Sequence, residues 1–250
     1  MIGKPQMIIE DNPAEVAFTA AKIFTVSCRE SISDRGHFAV ALTGGTTPRP
    51  LHRMLGKEPY RSEIQWDKTD IFWVDERCVS EHNPASNYGV AKVDFLDRVP
   101  IPRRRIHPVP YRIPPEEAAS SYEAELMDSF GIKRGEFPTF DLIFLGVGED
   151  GHVASLFPGE SSSDEGDRLT KAVTGGDPYL PRITMTYPVL NHAKRIVFLA
   201  TGAKKAPILK AVFEDSQVLV PAKRVWTSNG KSAWIIDRDA GSLLSEETFQ

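Results

Sequence analysis

The sequence predicts one α/β domain, spanning 1–250, in which a mainly parallel sheet is flanked by helices. Short continuous apolar runs recur along the chain, among them FAVAL, DIFWV, DLIFLGV, RIVFLA and SAWII. Strands covered on both faces read this way rather than alternating apolar with polar residues. Between the runs stand segments with apolar residues at helical spacing, so strand and helix alternate as βα units require. The domain count rests on length and composition: 250 residues supply ample material for one core, and no Pro/Gly/Ser-rich linker divides them.

Each element has its own justification. Asn12-Pro13 is a cap followed by a first-turn proline, and Val16, Ala20, Ile23, Phe24 and Cys28 continue at helical spacing until Gly36. FAVAL (38–42) is a buried strand, and Thr47-Pro48 opens a second helix, with Thr47 available as its cap. DIFWV (70–74) is the next strand, followed by a helix near 86–96 with Ser86 as cap. Pro114-Pro115-Glu116-Glu117 starts a longer helix carrying Ala118, Tyr122, Leu126 and Phe130 on one face. DLIFLGV (141–147) follows, and PRITMTYP (181–188) contains a short β-like run. RIVFLA (195–200) and SAWII (232–236) enclose a helix in AKKAPILKAVFED, whose Ile208, Leu209, Val212 and Phe213 share a side. ESSSDEGD (160–167) is the most polar loop and too short to separate domains.

Composition narrows the partners. The formal charge is -4, with 30 Lys and Arg against 34 Asp and Glu, so nucleic acid is not an expected partner. Cys28 and Cys78 lack CxxC spacing, which argues against a disulfide framework and for a reducing, cytoplasmic setting. The opening MIGKPQMIIEDNPAEV has no apolar signal core, and no stretch reaches membrane-spanning length. No membrane association is expected.

In open α/β sheets ligands bind beyond the carboxyl ends of the strands, so the residues after each apolar run carry the functional reading. Thr43-Gly44-Gly45-Thr46-Thr47-Pro48 follows FAVAL: Gly44 and Gly45 let backbone approach a ligand, Thr46 offers a hydroxyl, and a helix start offers free N–H groups. This suits a phosphate, although a plain strand-to-helix turn reads the same. Asp75-Glu76-Arg77 follows DIFWV, either as a solvated charge cluster or as an arginine held by carboxylates to bind an anionic oxygen. Lys205, at a helix start where the dipole disfavours it, and Arg182 are cations with the same two readings.

DLIFLGVGEDGHVASLFPG (141–159) spells Gly146-x-Gly148-x-x-Gly151, the glycine spacing of a dinucleotide turn. That motif must open a long helix and be followed by an acidic residue at the next strand end. Here Pro158 stops any helix within two turns, Asp164 and Glu165 lie in a polar loop, and Glu149 and Asp150 would repel a pyrophosphate. What remains is a carboxylate two residues before a histidine on a glycine-bent loop. Histidine titrates near neutrality, so His152 suits proton transfer from water with Asp150 orienting its ring; a loop-capping histidine is the plainer alternative. No GxSxG elbow supports a serine nucleophile and no HExxH or similar spacing supports zinc. The residues point to acid–base work on a phosphorylated small molecule, with no cofactor and no metal expected.

Five stretches in order resemble one family: LTGGTTPRPLHRML, WVDERCVSEHNPASNYG, DLIFLGVGEDGHVASLFPG, PRITMTYPVLNHAKRIVFLATGAKKAPILKAV and VWTSNGKSAWIIDRDAG. They are similar to the 6-phosphogluconolactonases of the glucosamine-6-phosphate isomerase/lactonase superfamily. The resemblance covers most of the chain, from about Phe38 to Gly241. It implies the glucosamine-6-phosphate isomerase/ribose-phosphate isomerase-like fold and hydrolysis of 6-phospho-D-glucono-1,5-lactone, in the oxidative pentose phosphate pathway, without metal or organic cofactor. His152 would then be the general base and Asp150 its orienting carboxylate. Arg77 would face the lactone, and Gly44, Gly45, Thr46, Asp75, Arg182 and Lys205 would contact the phosphosugar. The protein would act alone or as a small homo-oligomer.

Two other functions compete with this reading. The sister deaminases carry an Ala-Phe-Asn-Glu-Pro-like segment after DGH and an Asp-Glu-Tyr triplet, whereas this chain reads Val153-Ala154-Ser155-Leu156-Phe157-Pro158 and Asp75-Glu76-Arg77. A silent sugar-phosphate sensor would have lost the histidine or gained a DNA-binding segment. Trp226 stands where many relatives carry a polar or basic residue, and no role is assigned to it.

Overall fold

Strand β2 (Phe38–Leu42) is buried at all five residues and lies near the centre of a seven-stranded sheet. In the computed structural model, which describes residues 5–159, 166–227 and 230–249, the order across this sheet is β1 (Gln6–Glu10), β10 (Lys231–Asp237), β9 (Arg195–Ala200), β6 (Leu142–Gly146), β2, β3 (Thr69–Trp73) and β5 (Ile106–His107). Every neighbouring pair is parallel. From β2 the chain works outward through β3 to β5; from β6 it works outward the other way through β9 to β10. The order therefore reverses between β2 and β6, and the loops leaving those two strands diverge there and open a crevice.

The helices form where caps and apolar spacing agree. Helix α1 (Pro13–Arg35) starts under Asn12, whose side chain accepts the N–H groups of Ala14 and Glu15, and ends at Gly36 with φ of 80°. α2 (Arg49–Leu55) and α3 (Tyr60–Glu63) are short. α4 (Asn87–Asp94) is capped by Ser86, whose hydroxyl accepts the Gly89 N–H. α5 (Pro115–Phe130) buries Ala118, Ala119, Tyr122 and Leu126. α6 (Tyr187–Asn191) and α7 (Ala206–Glu214) complete the set, the latter burying Ile208, Leu209 and Val212. One contiguous apolar core joins sheet and helices. No helix of the described residues is long and apolar enough to cross a membrane.

Two features depart from the sequence reading. The Asp75–Arg77 triplet is not a loop but strand β4, paired antiparallel with β8 (Leu180–Met185), which in turn pairs with β7 (Thr170–Gly175). Thr47 does not cap α2: Pro48 holds the cap position without a side-chain hydrogen bond, and the helix is only 7 residues long. Its dipole is correspondingly small, leaving the turn's own backbone as what faces the crevice. The polar loop falls outside the described residues at 160–165, and Asp164 and Glu165 with it.

The passage from the large sheet to the small one is firmly braced. The Tyr122 hydroxyl accepts the Trp73 N–H and donates to the Trp73 carbonyl, both at 2.9 Å, and burial pushes that hydroxyl above its ordinary range. Val74 then donates to Leu42 and accepts from Met185, stitching β2, β3 and β8 at one residue. The next residues, Asp75 to Arg77, are thereby delivered to the crevice at a fixed height.

Candidate active site

The crevice holds a polar cavity of about 190 Å³, lined by Thr43 to Thr47, Asp75, Arg77, Asn87, Gly146 to Gly148, His152, Ala154, Arg182 and Lys205. A wider mouth of about 1090 Å³ shares Gly44 to Thr46, Arg77, Asn87, Gly148, His152 and Lys205, and adds Glu149, Asp150 and Phe157. Eight of the residues expected from sequence line the inner cavity, and Asp150 lines the mouth beside them.

His152 is positioned by its own loop. One Asp150 carboxylate oxygen meets the ring Nδ1 at 2.6 Å and also accepts the His152 backbone N–H at 3.1 Å. Asp150 thus orients ring and backbone together. A carboxylate only accepts, so in the neutral ring Nδ1 carries the proton and the lone pair falls on Nε2; Nε2 has no hydrogen-bond partner among the described residues. The glycines serve this arrangement. A side chain on Gly148 would overlap the His152 ring and the Asp150 carboxylate, and Gly151 takes φ of 84°. The loop closes through Gly148 N–H to the His152 carbonyl, 2.9 Å, and is tethered to the following chain by Ala222 N–H to the Gly151 carbonyl, 3.0 Å.

Beyond His152 the backbone is strained. Ala154 adopts φ of 51°, the only non-glycine with positive φ among the described residues, which costs on the order of 1–2 kcal/mol. Ser155 holds it there: its hydroxyl donates to Asp75 at 2.6 Å and its N–H to the Thr184 hydroxyl at 3.2 Å. Phe157 then packs its ring 5.0 Å from that of His152 and 5.8 Å from the Arg182 guanidinium.

The acids of the Asp-Glu-Arg triplet do not pair with the Arg77 guanidinium, contrary to one sequence reading, nor are they solvated, contrary to the other. Both are buried. Asp75 accepts from Ser155 and, through the Asn87 amide, is tied to α4; it lines the cavity as a brace. Glu76 accepts the N–H groups of Arg77, Asn87 and Tyr88 and the Ser86 hydroxyl, so it binds the start of α4. Burial pushes Glu76 up to about 7, against the pull of those N–H donors.

The antiparallel register places Arg77 directly across from Arg182. Like charges in that position repel, and burial followed by Arg77 lowers the Arg182 pKa from its ordinary value. Arg77 donates to the Ala85 carbonyl at 2.7 Å while its buried Nε has no partner among the described residues. Arg182, 3% exposed, donates to the carbonyls of Gly175 and Pro178, lying so close over Gly176 that no side chain fits there. Lys205 enters from the far side, its pKa lowered by burial although Glu149 and Asp150 pull it up. None of the three cations has a carboxylate within ion-pair distance among the described residues.

Sequence reasoning missed Asn87, Ser155 and Phe157. Asn87 fills the space against Gly44, which is why a Cβ there would collide with its amide. All three fall inside stretches singled out as motifs, but only the fold shows what each touches.

A histidine–carboxylate pair that shares a switch-point crevice with cations lacking a carboxylate partner among the described residues is an arrangement of the class of α/β enzymes, chemically suited to acid–base work on a small anion. The family model described as Glucosamine-6-phosphate isomerases/6-phosphogluconolactonase matches residues 11–234, and the chain belongs to that family. It is 39% identical over 243 residues to a 6-phosphogluconolactonase of Synechocystis sp., covering 96% of this chain and 98% of the relative. The 6-phosphogluconolactonase from Trypanosoma cruzi matches with a TM-score of 0.87 and 27% identity, over 98% of each chain. A monomeric glucosamine-6-phosphate deaminase matches with a TM-score of 0.79 over 95% of this chain and 99% of its own, at 21% identity, which is a likeness of fold.

Proposed function

We propose that the protein hydrolyses 6-phospho-D-glucono-1,5-lactone to 6-phospho-D-gluconate. The carrying observation is that His152, with Nδ1 committed to Asp150, lines one small cavity with three cations that have no carboxylate partner among the described residues. A water placed against the lactone carbonyl gives its proton to His152 Nε2 as its oxygen bonds to C1. Arg77 takes the charge developing on the carbonyl oxygen. Collapse breaks the bond from C1 to the ring oxygen; the electron pair stays on that oxygen, which takes the proton back from His152. The phosphate is held by Arg182, Lys205 and the Gly44–Thr46 backbone, so binding energy from the remote end orients the reacting carbon.

A lactone is an activated ester, and this chemistry calls for no metal or organic cofactor. Among the described residues no three His, Cys, Asp or Glu side chains converge as a metal-binding group. The reading includes a cytoplasmic location, supported by two free cysteines and cyanobacterial relatives. Phe157, which packs on His152, stands where the deaminases carry their glutamate, so the ring-opening acid of that reaction is replaced by an apolar wall.

The test is an assay on freshly generated lactone, corrected for spontaneous hydrolysis, with glucosamine 6-phosphate as the competing substrate. His152→Ala should lower kcat by about 100-fold or more with an unchanged circular dichroism spectrum. Near-wild-type turnover would remove His152 as the base, and turnover of glucosamine 6-phosphate instead of lactone would replace the whole reading.

A further inference from the structure

We propose that Asp237, at the end of β10 and outside both cavities, is the positioning residue that presents Lys205 to the site. This rests on the reading of Lys205 as a phosphate ligand. The lysine stands in the turn Thr201–Lys205 that leaves β9, and the turn pivots on Gly202, with φ of 87° and ψ of 150°. That region is open to glycine and essentially closed to other residues. A free glycine samples many other conformations, so something must select this one.

Asp237 does so. Asp237 is 2% exposed, and its carboxylate receives the Gly202 N–H at 2.9 and 3.0 Å on its two oxygens and the Ala240 N–H at 2.8 Å. Gly202 in turn accepts the Lys205 N–H at 3.0 Å, closing the turn that ends at the lysine. Two successive hydrogen bonds therefore connect a buried carboxylate to the backbone of a cavity-lining cation. The register matters because Lys204 is next door and exposed. A turn that slipped by one residue would offer Lys204 to the crevice from the wrong direction. Asp237 is not among the charges that set the Lys205 pKa, so its action is geometric and an amide oxygen in the same place can substitute for it.

The experiment is steady-state kinetics on the lactone for Asp237→Ala, Asp237→Asn, Gly202→Ala, Lys205→Ala and the double variant Asp237→Ala/Lys205→Ala. Asp237→Ala should raise KM about tenfold with kcat within about twofold, and Asp237→Asn, which keeps an acceptor at the Oδ1 position but places an NH2 at the other, should recover part of that loss. Gly202→Ala, where an added Cβ meets nothing within 4 Å, strains the same turn without touching Asp237 and should give the same KM signature even if Asp237→Ala folds poorly. In the Lys205→Ala background, loss of Asp237 should add less than twofold. The assignment fails if the aspartate's effect persists undiminished in that background, if kcat falls in place of a KM rise, or if Asp237→Ala and Gly202→Ala leave KM unchanged while Lys205→Ala raises it. An unchanged KM in Lys205→Ala itself overturns the phosphate role of the lysine, and this assignment with it.

Discussion

The amino ends of the central strands and the inner cavity at their carboxyl ends treat charge in opposite ways. At the amino ends of the strands Asp141 is buried, yet it meets Arg35, has Lys194 at 3.5 Å, and accepts the Ala39 N–H at 3.0 Å. Charge there is matched within the protein and ties α1, β2, β6 and β9 together. At the inner cavity the two carboxylates of β4 are committed elsewhere, Asp75 to Ser155 and Glu76 to the start of α4. Among the described residues Arg77 and Arg182 donate to carbonyls, and neither they nor Lys205 meets a carboxylate at ion-pair distance. A folded chain spends acids on cations where it needs stability, and withholds them where an outside anion is to complete the set.

That contrast can be broken by substitutions at each end. Arg182→Met should have the largest effect, raising KM by about 100-fold through loss of charge-assisted phosphate bonds, with thermal stability held by relief of the repulsion across the strands. An unchanged KM would leave the arginine pair without a functional explanation. Asp141→Ala should act the other way, costing about 2 kcal/mol of stability, a figure kept low because Arg35 and Lys194 are partly exposed. Denaturant melts would read that loss, and kcat/KM per folded molecule should stay as it was. The smallest effect is a change of slope. Folded Glu76 keeps its proton to about pH 7, whereas the unfolded chain releases it near 4.5. The native state binds more protons between those values, so this residue's contribution to stability falls as pH rises through that window and levels off above it. Glu76→Gln should flatten that decline; an unaltered slope would show that the N–H donors already hold the carboxylate ionised.

Much of this architecture was legible in the sequence because burial writes it there. β2, β6, β9 and β10 are covered on both faces and read as apolar runs; α1 and α4 announce their caps at Asn12 and Ser86. β4 was not legible: three consecutive charged residues have no strand signature, and they pair only because β8 lies alongside. β7, with TKAVTG half polar, and the edge strand β1 failed for the same reason. At the site, His152, Asp150 and the cations were named from chemistry at strand ends. The braces were not, since Asn87, Ser155 and Asp237 work through partners 12, 80 and 35 positions away. The glycine spacing of 146–151 misled for a physical reason. Close approach to backbone is needed both by a pyrophosphate and by the folded-back His152 ring, and glycine answers either demand.

The facing arginines also bear on how the protein is handled at the bench. On the proposed phosphate role, an anion entering between two like-charged guanidiniums held in register should relieve their repulsion, and inorganic phosphate in a storage buffer should then occupy the site. At a concentration a hundredfold above its dissociation constant such a ligand adds about 2.7 kcal/mol of apparent stability. A preparation kept in phosphate would then melt high and bind its substrate weakly, and exchange into a non-coordinating buffer would reverse both readings at once.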